Sequence, residues 1–293
     1  MEIKKAIIPI AGLGTRFLPL SKVLPKEFWP LVDIPALQYI VEEAWISGVE
    51  KIIFVNRPEK SIILDYFKKY FQKEPELEEI LKKRKRNHLL KELKRLGKIS
   101  KKISLSQVIQ KEPLGSSHAI LQAEKSIKNE PVAVLYGDDI VESETPCLLQ
   151  LIKIFKKYHK PVIALAKVPK ESFQFYGMAE IKKIDKRLYK IKRVVEKPSI
   201  SKVPSDLAVV GKHIITPEVF EHLKKTSFSL KTDITLSQSL SEMAQAGQEV
   251  YGYKIEGKWL ECGNKLAYLK SNLYLCLKHP QFGPELKKYL KKI

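Results

Sequence analysis

The sequence has few cysteines and no long apolar run. Its cysteines, Cys147, Cys262 and Cys276, are odd in number and widely spaced, so they indicate neither a disulfide framework nor a zinc site of the CxxC type. The longest uninterrupted apolar stretches, such as Ala6 to Ala11 and Pro161 to Ala166, are far shorter than the roughly 20 residues that cross a bilayer. The sequence therefore predicts no transmembrane helix, no membrane partner, and buried or idle thiols.

A leader with a cleavage site is also lacking. Lys4 and Lys5 precede a short apolar segment, but Arg16 and Lys22 follow it and no small-residue cleavage site appears. We therefore predict a cytoplasmic protein whose chain starts directly on a strand.

Acidic residues are scarce relative to basic ones. The formal charge of +20 favours acidic partners such as nucleotides, nucleic acid or membrane phosphates without choosing among them. In the densest basic run, Lys82 to Lys102, Glu92 is the single acid. We interpret this run as a solvated helical face rather than an RNA-binding strip, so nucleic acid is not an expected partner.

Helical and extended patterns alternate along the chain, which predicts a single α/β domain. The predicted strands are Ala6–Ile10, Lys51–Val55, Ile103–Val108, Val132–Tyr136, Val162–Ala166, Leu207–Ile214 and Tyr251–Ile255. The predicted helices are Leu37–Ser47, Glu76–Leu96, Ser116–Lys125, Leu148–Tyr158, Pro217–Leu223, Ile234–Ala246 and a tail from Lys265 onward. Ala179–Ile184 and Lys190–Val195 are typical of an antiparallel pair, so the sheet is expected to be mixed.

The first predicted strand leads into a glycine loop. In Ala11, Gly12, Leu13 and Gly14, the glycines let the backbone approach phosphate groups and turn its N–H groups toward them. Arg16 adds a fixed positive fork. Many turns between a strand and a helix use glycine only to turn, so this pattern is ambiguous by itself. The segment lacks the third small residue of a dinucleotide fingerprint and the Gly-Lys-Ser end of a P-loop.

A lysine and a pair of aspartates supply further candidate groups. Lys26 lies about ten residues beyond the loop, where its ammonium can reach a triphosphate as a point charge, unless it is one surface lysine among many. Asp138 and Asp139 follow the strand Val132–Tyr136. A carboxylate at the C-terminal end of a strand suits Mg²⁺ bound jointly with phosphates, although aspartate is also common in strand-ending turns.

Three segments together carry a resemblance to a known family. AGLGTRFLP, LPKE and PLVDIPALQYIVEEA resemble the N-terminal signature of bacterial UTP:glucose-1-phosphate uridylyltransferases, and the similarity continues to the C-terminus. The resemblance implies an α/β, Rossmann-like nucleotidyltransferase fold with a mixed, mostly parallel central sheet flanked by helices. It implies one domain over residues 1–293, with the nucleotide-binding part in about 1–145 and the sugar-phosphate part and helical tail in about 146–293.

The resemblance also implies the reaction and its partners. The uridylyl group of UTP is transferred to α-D-glucose 1-phosphate by direct in-line displacement, giving UDP-glucose and pyrophosphate, with Mg²⁺ as cofactor. Family members are commonly dimers or tetramers, so a homo-oligomer is expected.

In the nucleotide half of the site, the resemblance implies roles for a set of residues. The implied nucleotide-binding residues are Ala11, Gly12, Leu13, Gly14, Lys26, Gln110, Gly115 and Asp138. Gln110 and Gly115 are implied to contact the uracil base, Asp138 to bind Mg²⁺, and Arg16 and Lys26 to be catalytic. We interpret His118 as a helix-start or packing residue, because no Ser, Cys or acid motif places it in a nucleophilic triad.

The sugar-phosphate half contains a second set. The implied sugar-phosphate-binding residues are Gly177, Glu196, Lys197, Val210 and Gly211. In the resemblance Glu196 binds glucose hydroxyls, whereas Lys197 binds the sugar phosphate and is catalytic, a pairing that suits their charges. Taken alone, Glu196 and Lys197 are better explained as an ion pair in a β-hairpin.

Departures from the family pattern keep two alternatives open. The segment that usually reads KGLGHA is LGSSHA here, at 114–119, so an enzyme that uses dTTP or another sugar 1-phosphate is one alternative. Gln238 stands where the family usually has an aspartate, and Glu261 replaces the aspartate of DCGN. Glu261 is predicted to be a second Mg²⁺ ligand with looser geometry.

The second alternative is a catalytically degenerate regulator that binds nucleotides or RNA. It is motivated by the +20 charge and by the departures at Gln238 and Glu261. The joint presence of Lys26, Asp138 and Lys197 argues against it.

Overall fold

A nine-stranded sheet joins the two halves of the chain in the computed structural model, which describes residues 1–58, 62–70, 74–91, 93, 103–229 and 234–293. The strands in chain order are β1 (Lys5–Pro9), β2 (Pro30–Leu31), β3 (Ile34–Pro35), β4 (Lys51–Asn56), β5 (Ser104–Ile109), β6 (Val132–Leu135), β7 (Asp139–Glu142), β8 (Val162–Lys167), β9 (Gly177–Lys183), β10 (Leu188–Glu196), β11 (Leu207–Ile215), β12 (Tyr251–Lys254) and β13 (Lys258–Glu261). The order across the large sheet is β5-β4-β1-β6-β11-β8-β12-β10-β9.

The large sheet is mixed, as predicted, and most of its strands point the same way. β5, β4, β1 and β6 are parallel neighbours, and β8 and β12 are parallel to each other. Only β10 and β11 run against the other strands described in this sheet. The carboxyl ends of β1, β4, β5 and β6 therefore share one edge, the usual place for a nucleotide site in an open α/β sheet.

Helices cover both faces of the sheet. The described helices are α1 (Ala36–Ile46), α2 (Ile62–Tyr70), α3 (Pro75–Lys83), α4 (Gly115–Gln122), α5 (Glu124–Ile127), α6 (Cys147–Tyr158), α7 (Pro217–Lys225), α8 (Leu236–Gln245), α9 (Lys265–Lys278) and α10 (Gly283–Leu290). In β1, Ala6 and Ile8 face a core shared with α1, α2 and α6, whereas Ile7 faces a second core shared with α4, α7 and α8. Burial on both faces explains why this strand is a continuous apolar run.

One predicted helix was wrong in its extent. The pattern predicted a single helix over Glu76–Leu96, but α3 ends at Lys83 and Lys85 has a left-handed φ of 53°. Helical backbone resumes over residues 87–91, whereas residues 92 and 94–102, which include the end of the predicted helix and nearly half of the basic run, lie outside the described residues. The break falls at five consecutive basic residues, Lys82–Arg86, which are all exposed. Like charges repel there and no apolar side chain is buried to offset the repulsion.

Two of the short strands that were not predicted, β7 and β13, border the site. β7 and β13 form an antiparallel ribbon of four residues each, separate from the large sheet. Its register places Asp139 opposite Glu261. The ribbon therefore brings together two acidic residues from distant parts of the chain.

A buried ion pair joins β11 to two helices. Lys212 is completely buried, and its Nζ lies 2.7 Å from Oε2 of Glu43 on α1. The other carboxylate oxygen of Glu43 accepts a hydrogen bond of 2.8 Å from the backbone N–H of Leu148 in α6. Removing either residue would leave the charge of the other buried and uncompensated, so the stability of the fold depends on both.

The sequence analysis predicted no transmembrane helix and predicted buried or idle thiols, and both predictions can be compared with the described residues. No helix within the described ranges has both the length and the apolar character needed to cross a membrane. Cys147 and Cys262 are buried, Cys276 is half-buried, and all three are free thiols.

Candidate active site

The glycine loop lies at the carboxyl end of β1 and is open to solvent. Ala11 and Phe17 are buried and anchor its two ends, whereas Gly12 is exposed and Leu13 is 54% exposed. Gly14 has a left-handed φ of 66°, which favours glycine. A Cβ atom at Gly12 would meet nothing within 4 Å, so this glycine leaves open space above the backbone. The loop can therefore receive a ligand at close range.

Lys26 and Asp138 form an ion pair at this edge of the sheet. Lys26 starts a short 3₁₀ turn, Lys26–Phe28, and its Nζ contacts Oδ2 of Asp138. Burial by itself would lower the pKa of Lys26, but Asp138 and Glu27 outweigh it and the pKa is raised. Burial would likewise raise the pKa of Asp138, but Lys26 outweighs it and the pKa is lowered. Both groups are therefore charged at neutral pH.

Glu261 reaches the same place from the end of β13. Its Oε1 accepts a hydrogen bond of 2.8 Å from the backbone N–H of Gly263, and its Oε2 accepts one of 2.9 Å from Nδ2 of Asn264. A Cβ atom at position 263 would lie 2.6 Å from Oε1 of Glu261 and 3.1 Å from Oδ2 of Asp138. Both carboxylates thus border the space that a side chain at Gly263 would fill. Nη1 of Arg16 lies 3.7 Å from the same Cβ position and donates to the carbonyl oxygen of Gly263 at 3.4 Å.

Negative charge is concentrated at this point. Burial, and then the nearby Asp138, raise the pKa of Glu261 to about 7. Burial, Asp138 and Glu261 raise the pKa of Asp139 to about 7. A cation would relieve this repulsion, and carboxylate oxygens are the ligands that Mg²⁺ prefers. In the described part of the chain, no three Asp, Glu, His or Cys side chains are grouped to hold a metal. The protein thus offers one or two carboxylates, and phosphates or water would complete the coordination.

Asp139 is held by contacts that the sequence analysis did not identify. Its Oδ1 accepts a hydrogen bond of 2.7 Å from Nε1 of Trp259. A Cβ atom at Gly211 would collide with this carboxylate and lie 2.8 Å from Cβ of Tyr136, so only glycine fits at 211. The tandem aspartates after β6 were a sequence signal for Asp139. Nothing in the sequence pointed to Trp259, since it lies on a short strand that the pattern did not predict.

Among the residues predicted for the sugar-phosphate half, Gly177, Glu196 and Lys197 lie on the β9–β10 hairpin or directly after it, whereas Val210 and Gly211 lie on β11. Gly177 is opposite Glu196 in the register, and a Cβ atom at Gly177 would lie 2.9 Å from Oε2 of Glu196. Lys197 follows with a left-handed φ of 44°, and its N–H donates to the carbonyl oxygen of Tyr176 at 3.0 Å. Its side chain is exposed. Val210 is completely buried in the core, so neither its side chain nor its backbone is open to a ligand in this structure.

Gln110 and Gly115, predicted to contact a base, lie side by side. Gln110 follows β5, is 3% exposed, and its Nε2 donates to the carbonyl oxygen of Gly115 at 3.2 Å. The same amide nitrogen lies 2.9 Å from Nδ1 of His118. Nε2 of His118 is 3.0 Å from the side-chain amide of Gln122. His118 thus orients two amides, which agrees with a packing role rather than a nucleophilic one.

Comparisons with known proteins agree with one another over almost the whole chain. A family model described as nucleotidyl transferase matches residues 5–276. A UTP--glucose-1-phosphate uridylyltransferase from Staphylococcus haemolyticus is 39% identical over 292 residues, which cover 100% of this chain and 99% of the relative. A UTP-bound UGPase from Acinetobacter baumannii is 34% identical, with a TM-score of 0.85 and 99% coverage of both chains. A UDP-glucose pyrophosphorylase complexed with UDP-glucose is also 34% identical, with a TM-score of 0.83, covering 94% of this chain and 100% of that chain.

Proposed function

The chain belongs to the nucleotidyl transferase family, and we infer that it transfers the uridylyl group of UTP to glucose 1-phosphate, giving UDP-glucose and pyrophosphate. The observation that carries this conclusion is the full-length similarity to a uridylyltransferase, at 39% identity. The site supports the same chemistry, because Arg16, Lys26, Asp138 and Glu261 meet at the carboxyl edge of the sheet. Cations and carboxylates at one place suit a reaction between phosphate groups.

We propose that the reaction is a direct displacement. A phosphate oxygen of glucose 1-phosphate forms a bond to the α-phosphorus of UTP, while the bond from that phosphorus to the bridging oxygen of the β-phosphate breaks. The electron pair of the broken bond leaves with pyrophosphate, so no covalent intermediate with the enzyme is needed. Lys26 and Arg16 would neutralise charge that develops on the triphosphate, and the protein's contribution is positioning and electrostatic stabilisation.

We propose that the open glycine loop binds the nucleotide phosphates through its backbone. The loop residues in this role are Ala11, Gly12, Leu13 and Gly14. The buried pair of Gln110 and Gly115 is our proposed contact with the base, because a fixed amide beside a backbone carbonyl can discriminate hydrogen-bonding edges.

We propose that the β9–β10 hairpin binds glucose 1-phosphate. Glu196 is supported as the ligand of the sugar hydroxyls by its position beside Gly177, where the missing side chain leaves its carboxylate accessible. Lys197 is supported as the phosphate ligand by its exposed side chain and its left-handed backbone, which turns the chain at the end of β10. Gly211 would line this site through its half-buried backbone, and the completely buried Val210 would hold that backbone in the core.

We propose that the metal is Mg²⁺ and that Asp138 and Glu261 hold it. The fit rests on two carboxylates that border one small space beside Gly263 and on hard oxygen donors. The ion, when bound, would supply Lewis-acid neutralisation of the phosphate charge. Lys26 keeps Asp138 ionised in the free protein, so the ligand is ready without losing a proton.

We also propose a single domain that works in a reducing compartment, the cytoplasm. One sheet contains strands from both sequence halves, which supports a single domain. Three free thiols support a reducing environment.

A homo-oligomer is our proposal for the assembled state. Leu266, Leu269 and Leu273 form an exposed apolar stripe on α9, at 61%, 59% and 46% exposure. Such stripes are common at subunit interfaces. Light scattering of the protein after size-exclusion chromatography tests the assembly, and a monomer at micromolar concentration would contradict it.

The test of the function is pyrophosphate release. We expect release with UTP and glucose 1-phosphate together, dependence on Mg²⁺, and none with either substrate alone. dTTP and other sugar 1-phosphates serve as matched alternatives in the same assay. Faster turnover with any of them would replace the proposed substrate pair, and no release with any pair would overturn the enzymatic assignment.

A further inference from the structure

Trp259 contacts both halves of the candidate site. We propose that it is a positioning residue: its indole N–H holds the carboxylate side through Asp139, and its ring supports the sugar-phosphate side through Tyr176. This inference rests on the proposed function and adds a specific residue to it.

On the carboxylate side, the contact is a hydrogen bond to a buried acid. Nε1 of Trp259 donates to Oδ1 of Asp139 at 2.7 Å. Asp139 directly follows Asp138 in the chain and lies opposite Glu261 in the β7–β13 ribbon. Fixing Asp139 therefore fixes the spacing of the two proposed metal ligands, as outer-shell hydrogen bonds commonly do.

On the sugar-phosphate side, the contact is between rings. The ring centroids of Trp259 and Tyr176 are 4.8 Å apart, at an interplanar angle of 52°. The carbonyl oxygen of Tyr176 accepts the N–H of Lys197 at 3.0 Å. Lys197 has a left-handed backbone, which for a residue with a side chain needs support from its surroundings. The ring contact thus stabilises the turn that places Lys197.

The location of Trp259 favours positioning over simple packing. The two-stranded ribbon that carries it is outside the large sheet, and an isolated pair of strands is not stable without side-chain contacts. One side of the half-buried Trp259 lines a cavity of about 550 Å³, which Glu261 also lines. The ring therefore packs against the edge of the core, and beside the cavity it also meets Asp139 and Tyr176.

Two substitutions separate these contacts. Trp259→Phe keeps a ring beside Tyr176 but removes the N–H donor, so we expect weaker metal binding by about tenfold, a lower kcat, and a KM for glucose 1-phosphate unchanged within about twofold. Tyr176→Leu removes the ring contact and keeps the hydrogen bond to Asp139. It should raise the KM for glucose 1-phosphate by about tenfold with metal affinity unchanged.

The decisive measurement is Mn²⁺ binding to the protein with UTP and without sugar phosphate, by calorimetry, alongside the two KM values. Trp45→Phe, on α1, is the matched control for loss of an indole, and Trp259→His tests whether a restored donor recovers metal affinity. The proposal is overturned if Trp259→Phe changes the metal affinity and the KM for glucose 1-phosphate by equal factors, or changes neither. Absence of pyrophosphate release by the wild type would instead overturn the proposed function, and the Mn²⁺ titrations would still report on Trp259.

Discussion

At the scale of single residues, Lys26 has the clearest expected effect. Lys26→Ala removes a charge that contacts Asp138 and, in our proposal, the triphosphate. We expect kcat to fall by about 10²–10³-fold, because such electrostatic groups are worth this much in a closed site. Lys22→Ala, on an exposed turn of the same segment, is the control and should retain activity. Pyrophosphate release measures both, and near-normal activity of a folded Lys26→Ala protein would remove Lys26 from the mechanism.

The two carboxylates are expected to differ in how strongly activity depends on them. Asp138→Asn should nearly abolish activity, whereas Glu261→Gln should mainly raise the Mg²⁺ concentration for half-maximal rate, since the longer glutamate is already held by Gly263 and Asn264. Glu261→Asp keeps the charge and should retain activity. Magnesium titrations of all three variants check this order. Identical curves for wild type, Glu261→Gln and Glu261→Asp would show that Glu261 is not a ligand.

At the scale of secondary-structure elements, α8 explains one departure from the family pattern. Gln238 looked like the loss of an aspartate, but its Oε1 accepts the backbone N–H of Thr235 at 2.8 Å, while Oγ1 of Thr235 accepts the N–H of Gln238 at 3.2 Å. This is a capping box. Gln238 therefore has a structural role at the start of the helix.

The capping box gives a stability prediction. Thr235→Ala removes the side-chain acceptor, so the free energy of unfolding should fall by about 1 kcal/mol. Gln238→Glu preserves the box and is the matched control. Urea unfolding measures the difference. An unchanged midpoint for Thr235→Ala, with the same slope, would mean that the cap contributes nothing.

β11 contains a buried imidazole that makes stability depend on pH. His213 is 1% exposed and neither ring nitrogen has a hydrogen-bond partner among the described residues. Burial lowers its pKa from 6.5 to about 3. The unfolded chain therefore binds this proton more readily, and the stability is complete above pH 6.5 and is lost progressively as the pH falls toward 3.

His213→Leu should flatten this dependence. Between pH 6.5 and 5, protonation of this imidazole in the unfolded chain lowers the free energy of unfolding by about 2 kcal/mol. The variant should not show this decrease. His88→Gln, at an exposed position, is the control and should follow the wild type. Urea unfolding at the two pH values gives the comparison. Parallel losses for wild type and His213→Leu would show that other groups cause the acid sensitivity.

The elements differ in how well the sequence could predict them. Strands buried on both faces, such as β1 and β6, are apolar runs and were predicted within one residue at each end. The ribbon of β7 and β13 was not predicted, because its strands, DIVE and KWLE, have neither a continuous apolar run nor a regular alternation of apolar and polar residues. For the same reason, residue patterns alone could not find the contact between Asp139 and Trp259, which are 120 residues apart. The motif residues could be identified because each motif is a short, contiguous segment of the sequence.

At the scale of the whole molecule, the excess of basic residues is not expected to serve catalysis. Replacing the exposed Lys82–Arg86 run with glutamine should leave the KM for UTP within about twofold at physiological salt, where charges beyond roughly 8 Å are largely screened. Steady-state kinetics at low and physiological salt measure this. A large rise in KM at physiological salt would place the run beside the nucleotide.

The buried pair of Lys212 and Glu43 restricts how this protein can change over generations. Replacing Lys212 alone strands a carboxylate inside the core, and replacing Glu43 alone strands an ammonium, each at a cost of about 3–5 kcal/mol. That cost is comparable to the whole stability margin of many folded proteins. Substitutions at the two positions are therefore coupled. The pair can be replaced without loss of stability only if both residues change together, or if substitutions elsewhere in the chain have stabilised the protein first.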